Sequence, residues 1–248
     1  MHVRTRRLAL ATLAASSLLL LSACNGGSNS ADKADKKGKA APSAPAVPDS
    51  ITAEQAQQAL VGLGDLPAGW KLEANTGLDK SQGAEEDMMT GAKALCAPVT
   101  AVLNSGRLGT DYKANAQEVF TKKGDQTTVA QDVSGYPRAQ AERAMAGLRA
   151  AIEQCGTFTA QQGGHKATVT VKKTAEQPKY ADESIRYTVK IVQGDMQMDF
   201  DMGTVRSHGA ITTVLNNYPD HGDRGLEAFT KALSKAAGKL VAAAAKTA

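Results

Sequence analysis

The chain has 248 residues, and its 29 Lys and Arg against 25 Asp and Glu give a formal net charge of +4. The basic excess lies at the N-terminus, in three arginines within the first seven residues and in a lysine-containing stretch after residue 24. Residues 50–248 carry 22 charges of each sign and are neutral overall. A neutral domain lacks the basic surface that binds nucleic acid, so we expect no nucleic-acid partner.

Residues 1–23 have the pattern of a secretory signal peptide. A basic start with Arg4, Arg6 and Arg7 precedes an apolar run over residues 8–23, which is shorter than the ~20 residues of a membrane-spanning helix. Leu21-Ser22-Ala23-Cys24 resembles the bacterial lipobox. The resemblance implies that Cys24 is lipidated, with acyl chains such as palmitate, and becomes the mature N-terminus after cleavage. The alternative is an ordinary secretory signal with a chance cysteine. Arg6-Arg7 fits twin-arginine export as well as Sec export.

The segment after Cys24 has the composition of a tether. Residues 25–48 consist mainly of Gly, Ser, Asn, Ala, Lys, Asp and Pro. Such a segment has too little to bury to offset the entropy of ordering. We therefore predict a lipidated N-terminus and flexible linker over residues 24–49, followed by one domain over residues 50–248.

Two cysteines remain in the predicted domain. Cys96 and Cys155 would lie outside the cytoplasm, where thiols tend to pair, so we predict a disulfide between them. Neither has His or Cys neighbours at the spacing of a zinc site. A catalytic thiol would need a histidine partner, and the sequence shows none nearby.

Four helices are predicted from periodicity and capping signals. Thr52-Ala53-Glu54-Gln55 is a capping box with Gly64 as a stop, Pro98 lies in the first turn of the second helix or bends it, and Pro137 opens the third. The fourth starts near Asp223. The apolar faces, helix by helix, are Ala56, Ala59, Leu60 and Leu63; Ala92, Leu95, Cys96, Val99 and Leu103; Ala141, Ala144, Met145, Leu148 and Ile152; and Leu226, Phe229, Leu233, Leu240 and Val241.

Between the third and fourth helices the period changes to two. Alternation over residues 185–191 and tight turns at residues 193–195 and 207–209 predict an antiparallel meander of three strands. Further strands are expected around residues 118–122, 127–133 and 169–171. We therefore predict an α+β fold: an antiparallel sheet of about five or six strands, helices packed on one face, and one disulfide.

Some residue groups are compatible with metal chemistry. Met196, Met198 and Met202 alternate with Asp199 and Asp201, and Met-x-Met is a Cu(I) ligand pattern. The same spacing is what the core face of a strand requires, so we interpret the methionines as core and the aspartates as a solvent face. We predict no resident metal or cofactor.

Histidine and loop residues give no catalytic signature. Asp220, His221 and Asp223 offer metal ligands, but we interpret them as a polar loop that leads into the cap of the last helix. His165 and His208 lie in glycine-flanked turns without a spaced partner. The sequence has no nucleophile elbow, metalloprotease motif or phosphate-binding glycine loop.

Three features together resemble a known group of protein domains. They are the segment Leu66-Pro67-Ala68-Gly69-Trp70 after a short helix, a cysteine in the next helix, and a second cysteine at the end of a longer helix. This combination is similar to the extracytoplasmic sensor domains of actinobacterial lipoproteins and of some receptor Ser/Thr kinases. The resemblance implies an antiparallel sheet whose helices flank a cleft, and a role in ligand sensing. The kinase-linked members usually have a second disulfide, whereas this chain has one cysteine pair.

These observations favour a non-enzymatic, membrane-anchored lipoprotein that binds a small molecule or an envelope component, with a membrane protein as a further partner. Leu66, Pro67 and Trp70 are the candidate cleft rim, because Pro67 and Gly69 shape a turn beside the single tryptophan. The alternative for Trp70 is a plug at the core edge. A lipid carrier that holds acyl chains between sheet and helices is the second hypothesis, and an exported hydrolase is the third.

The first prediction concerns membrane attachment. Cys24→Ala removes the thiol that would be acylated, so the variant should leave the membrane fraction or stay unprocessed, whereas a chain with two acyl chains stays bound. Detergent partitioning of cell lysates measures the difference. Recovery of the variant in the detergent phase at wild-type levels would refute lipidation.

Overall fold

The computed structural model describes residues 49–73, 88–124, 126–218 and 225–247. In this part of the chain, eight strands form one antiparallel sheet in the order β1-β2-β3-β8-β7-β6-β5-β4. The strands are β1 (Trp70–Leu72), β2 (Ala114–Lys122), β3 (Thr128–Gly135), β4 (Thr157–Gln162), β5 (His165–Lys173), β6 (Glu183–Gln193), β7 (Met196–Ser207) and β8 (Ala210–Tyr218). The α-helices are α1 (Ala53–Gln58), α2 (Ala97–Ser105), α3 (Arg138–Gln154) and α4 (Leu226–Ala244).

Local signals set the helix starts as predicted. The Thr52 hydroxyl accepts the Gln55 N–H and the Gln55 side chain accepts the Thr52 N–H, which is a complete capping box. Pro98 lies in the first turn of α2, and Pro137 precedes α3. Helix α1 ends at Gln58, and a separate 3-10 turn (Leu63–Asp65) follows where the sequence suggested one longer helix.

The helices cover both faces of the sheet, so the expectation of helices on one face was wrong. Helices α2 and α3 cover one face, where Leu148 of α3 and Met202 of β7 belong to the same core cluster. Helices α1 and α4 cover the other face, where Phe229 of α4 and Val214 of β8 belong to a second cluster. Nearly every residue of β3 and β8, and the second half of β7, is buried as a result. A strand buried on both faces loses the alternation that one covered face produces.

The α+β class is confirmed, but the sheet has eight strands rather than five or six. The predicted meander is β6-β7-β8, with Arg186 opposite Gly203 and Thr204 opposite Thr213. The two strands absent from the prediction are the edges. Strand β1 has three residues, and β4 has only Phe158 and Ala160 buried in the core. Gly163-Gly164, between β4 and β5, is a two-residue hairpin signal that identifies β4.

Four residues of the predicted apolar helix faces are exposed: Leu63, Leu95, Leu226 and Val241. Helix α4 instead packs on the sheet through a mainly small-residue face that adjoins Phe229, Leu233 and Leu240. This face consists of Ala228, Ala232, Ala236, Ala237, Ala243 and Ala244. Because alanine has a short side chain, this face lets the helix lie close to the sheet. Leu226 and Val241 lie outside this face and are exposed.

The predicted disulfide is confirmed. Cys96 ends a 3-10 turn before α2, Cys155 ends α3, and their Cα atoms are 5.8 Å apart. The bond joins the two helices that cover one face of the sheet.

Removing the disulfide should destabilise the fold. The bond closes a loop over a sequence separation of 59 residues, which corresponds to about 4 kcal/mol in the chain-entropy model. We expect the Cys96→Ala, Cys155→Ala double variant to lose free energy of unfolding of that order in denaturant titrations. Thiol labelling of unfolded, unreduced wild-type protein should find neither cysteine free, and full labelling of both would contradict the bridge.

Candidate functional site

A groove runs along helix α4 on the side that faces residues 174–182, the connection from β5 to β6. Two adjoining pockets form it, with volumes of about 630 Å³ and about 250 Å³. Tyr180 and Thr230 line both pockets, and Arg186 and Phe229 line the smaller one. The groove therefore combines apolar walls with a few polar side chains, as ligand sites commonly do.

Residues 174–182 are fixed to strand β6 by hydrogen bonds. The Gln177 side chain accepts the Arg186 N–H at 2.9 Å and donates to the Arg186 carbonyl at 2.7 Å. Just beyond the end of β5, the Gln177 side chain therefore makes the two hydrogen bonds to the Arg186 backbone that a paired strand would otherwise make. The Thr174 hydroxyl also donates to the Arg186 carbonyl, at 3.1 Å. Residues 174–182, which form this wall of the groove, are therefore bonded to the backbone of Arg186, and the Arg186 side chain lines the smaller pocket.

The opposite wall depends on the absence of a side chain at Gly203. A Cβ there would come within 2.4 Å of the Leu233 side chain, so only glycine allows α4 to approach β7 this closely. One helical turn before Leu233, the buried Phe229 ring lies 5.1 Å from the guanidinium carbon of Arg186. A cation over an aromatic face at this distance is attracted by the ring.

Arg186 itself is half-buried, and part of its guanidinium has no partner. Its Nε is shielded from solvent and makes no hydrogen bond within the described part of the chain. Lys231 and Lys235, both exposed on α4, line the larger pocket, and Glu176 and Glu227 lie at the rim. The side chains around the groove thus carry three cations and two anions.

A second polar cluster lies on the other face of the sheet, near the C-terminal end of α2. The Asp132 carboxylate accepts hydrogen bonds from Asn115 at 2.6 Å, from Gln117 at 2.7 Å and from Ser134 at 2.6 Å. Burial raises the pKa of Asp132 to about 6, although these hydrogen bonds lower it. Burial and the charge of Asp132 raise the pKa of the neighbouring Tyr136 to about 12. Because the cluster is closed in the core, we interpret it as structural.

A third candidate is a pocket of about 340 Å³ between α2 and α3, on the same face as the Asp132 cluster. Its lining is mostly alanine, glycine and proline, and Arg143 is its one charged side chain. It offers fewer groups to orient a ligand than the groove beside α4.

The two pockets of the groove do not include the candidate rim Leu66, Pro67 and Trp70. Leu66 and Trp70 are buried among the residues that α1 and α4 cover, and Pro67 is half-buried. Trp70 starts the edge strand β1 and contributes to the core there. A binding role for this segment stays a prediction.

The methionines of β7 only partly follow the predicted pattern. Phe200 and Met202 are buried and Met198 packs against the same core, which confirms the core-strand interpretation, but Met196 is 61% exposed. The predicted acidic solvent face was wrong for Asp201, which is buried. Because β7 is covered on both faces beyond its first residues, alternation there does not separate core from solvent.

Several predicted sites fall outside the described residues, among them Cys24 and the loop with Asp220, His221 and Asp223. Where the structure describes the chain, no group of three or more His, Cys, Asp or Glu side chains is placed to hold a metal ion. The same residues contain no helix long and apolar enough to cross a membrane.

Comparisons with known proteins show a likeness of fold to solved structures. No family model matches the chain, and no curated protein matches it in sequence. The fold is similar to the crystal structure of the extracellular domain of PknH from Mycobacterium tuberculosis, with a TM-score of 0.51 and 12% sequence identity. The match covers 75% of this chain and 96% of the other. The predicted resemblance is therefore confirmed only as a fold shared with an extracellular domain.

Sequence reasoning did not identify Arg186, Phe229 or residues 174–182 as a site. Alternation along β6 placed Arg186 on the solvent face, and the periodicity of α4 placed Phe229 in the core. Each assignment is close to the observed burial. The contact between Arg186 and Phe229 could not be predicted, because the sequence does not show that α4 covers the face of the sheet that carries Arg186.

The buried carboxyl of Asp132 should make stability depend on pH. Its pKa rises from 3.8 to about 6 on folding, so the folded protein binds this proton more tightly than the unfolded chain. Its contribution to stability is fully present below pH 4 and is lost as the pH rises through 6. The expected loss is about 3 kcal/mol.

Denaturant unfolding at several pH values between 4 and 7 measures this effect. We expect Asp132→Asn to remove this part of the pH dependence, whereas the control Asp111→Asn, at an exposed position, should keep it. Identical pH dependence in the wild type and Asp132→Asn would contradict the assignment.

Proposed function

We propose that this protein is an extracytoplasmic lipoprotein whose folded domain binds a ligand, without chemical turnover, in the groove between α4 and residues 174–182. The observation that carries the proposal is Arg186 at a pocket of about 250 Å³: Gln177 bonds its backbone, and the Phe229 ring lies against its guanidinium. A side chain fixed in this way is prepared to orient a ligand before the ligand arrives. The likeness of the fold to an extracellular domain supports the same function.

The proposed anchor is the lipid on Cys24, outside the cytoplasm on the cell membrane. A flexible spacer of residues 25–49 would hold the domain within roughly 25–30 Å of the membrane surface. From that position the domain can bind an envelope component or a small molecule and contact a membrane protein partner.

The lipid-carrier and hydrolase hypotheses have less support. A carrier of acyl chains needs an open cavity between sheet and helices, and in the described residues both of these interfaces are filled by buried side chains such as Phe229, Leu233 and Met145. A hydrolase that uses Ser, His and a carboxylate needs an imidazole close to the serine hydroxyl. Within the described ranges, neither the His165 nor the His208 side chain makes a hydrogen bond.

Blocking the groove tests the proposal. Thr230 is exposed on α4 and lines both pockets, so Thr230→Trp fills the groove without changing the buried face of the helix. Fractions of a cell-envelope extract should raise the Tm of the full-length wild type. A ligand at about 100 times its Kd adds about 2.7 kcal/mol, which corresponds to a shift of roughly 5–10 °C for a domain of this size.

The Thr230→Trp variant should lose this shift. The matched control is Ala146→Trp, which adds the same side chain at an exposed position of α3 on the other side of the sheet and should keep the shift. Equal shifts in the wild type and Thr230→Trp would exclude the groove as the binding site. Conversion of an extract component to a product by the wild type would overturn the non-enzymatic function.

A further inference from the structure

The charge of Arg186 is not neutralised by a carboxylate in the described part of the chain. Other arginines are paired: Arg206 donates to Asp182 and Glu183 at 3.3 Å each, and Arg149 pairs with Glu183. Arg186 takes part in no ion pair of the described residues, although it is half-buried and Glu176 lines the same pocket. Its position therefore has an uncompensated positive charge at the groove.

The unpaired Nε adds a second, directional argument. A buried donor without an acceptor costs about 1–3 kcal/mol, and more when the group is charged. Elsewhere in the polar core, the fully buried Gln131 bonds Val61, Ala59 and Thr212. A few other buried atoms of the described residues, such as the Tyr136 and Tyr187 hydroxyl oxygens, also make no hydrogen bond, but neither tyrosine lines the groove. Because Arg186 lines the smaller pocket, an anion there would relieve the cost once the side chain turns its Nε toward the groove.

We propose that the groove binds an anionic group, a phosphate or a carboxylate, through the guanidinium of Arg186. The inference rests on the proposed function and names the chemical class of the ligand. Guanidinium is planar and presents its donors as a fork that matches the paired oxygens of these two anions. The Phe229 ring lies 5.1 Å from the guanidinium carbon, and both residues line the smaller pocket, so the guanidinium lies beside the space that a ligand would occupy.

The residues that line the larger pocket indicate which chemical groups the rest of the ligand carries beside its anion. Leu226, which is 44% exposed, and Tyr180 line it together with Lys231 and Lys235. A ligand that carries apolar groups beside its anion would contact Leu226 and Tyr180 while the two lysines add further positive charge. Both an anionic lipid headgroup and a soluble anionic metabolite have this chemistry.

NMR of the arginine Nε–H groups of the full-length protein tests the inference directly. Titration with inorganic phosphate should shift the Arg186 Nε–H resonance until it saturates. Arg186→Gln should weaken phosphate binding by roughly tenfold or more, which corresponds to about 1.4 kcal/mol. Arg186→Lys keeps the positive charge but loses the paired donors of the guanidinium, so its affinity for phosphate should lie between those of the wild type and Arg186→Gln. Arg138→Gln is the matched control, because it removes an exposed arginine at the start of α3, on the opposite side of the sheet and outside the pockets described, and should bind like the wild type.

A second arm distinguishes the source of the anion. Short-chain phosphatidylglycerol, compared with inorganic phosphate, should bind more tightly if a lipid headgroup is the ligand and equally if a soluble anion is. Short-chain phosphatidylcholine, whose headgroup has no net charge, should bind more weakly than the phosphatidylglycerol in either case.

An unmoved Arg186 resonance with every anion, or equal losses in Arg186→Gln and Arg138→Gln, would overturn the inference. If the envelope extract still raises the Tm of the wild type but not of Thr230→Trp, the groove is a binding site for a ligand without this anion. If Thr230→Trp keeps its shift as well, the proposed function fails together with the inference.

Discussion

The close contact between helix α4 and strand β7 at Gly203 is the constraint on which the groove depends. Leu233 occupies the space that a side chain at Gly203 would need. This contact sets the height of α4 above the sheet and brings Phe229 next to Arg186, which lies opposite Gly203 on β6. A larger residue at Gly203 would raise the helix and separate the aromatic ring from the guanidinium.

The two faces of the sheet use polar residues in different ways. On the face covered by α2, Asp132 receives hydrogen bonds from Asn115, Gln117 and Ser134, so both of its carboxyl oxygens have partners within the protein. On the face covered by α4, Arg186 keeps an unsatisfied donor beside an open pocket. A closed network favours a structural role, and an open one at a pocket favours binding, which is why we assign the function to the second face.

Much of the fold follows from local sequence signals, and the remainder depends on contacts between distant segments. The capping box at Thr52, the proline before α3 and the β6-β7-β8 turns are short-range features and were predicted correctly. Helices on both faces were not, because β3 contains Gln131, Asp132 and Ser134, which read as solvent-facing residues. All three are buried. Gln131 bonds the backbone of Ala59 and Val61, next to α1, and only this tertiary partner makes its burial favourable.

The binding site illustrates the same limit. Arg186 and Phe229 are 43 residues apart in the sequence, and each alone has an ordinary role in its strand or helix. Hydrogen–deuterium exchange of the full-length protein, with and without a saturating envelope fraction, tests most directly whether the groove is the binding site. The account predicts slower exchange at residues 174–182 and in the first turns of α4. Protection confined to α2 and α3, or no change at residues 174–182, would contradict it.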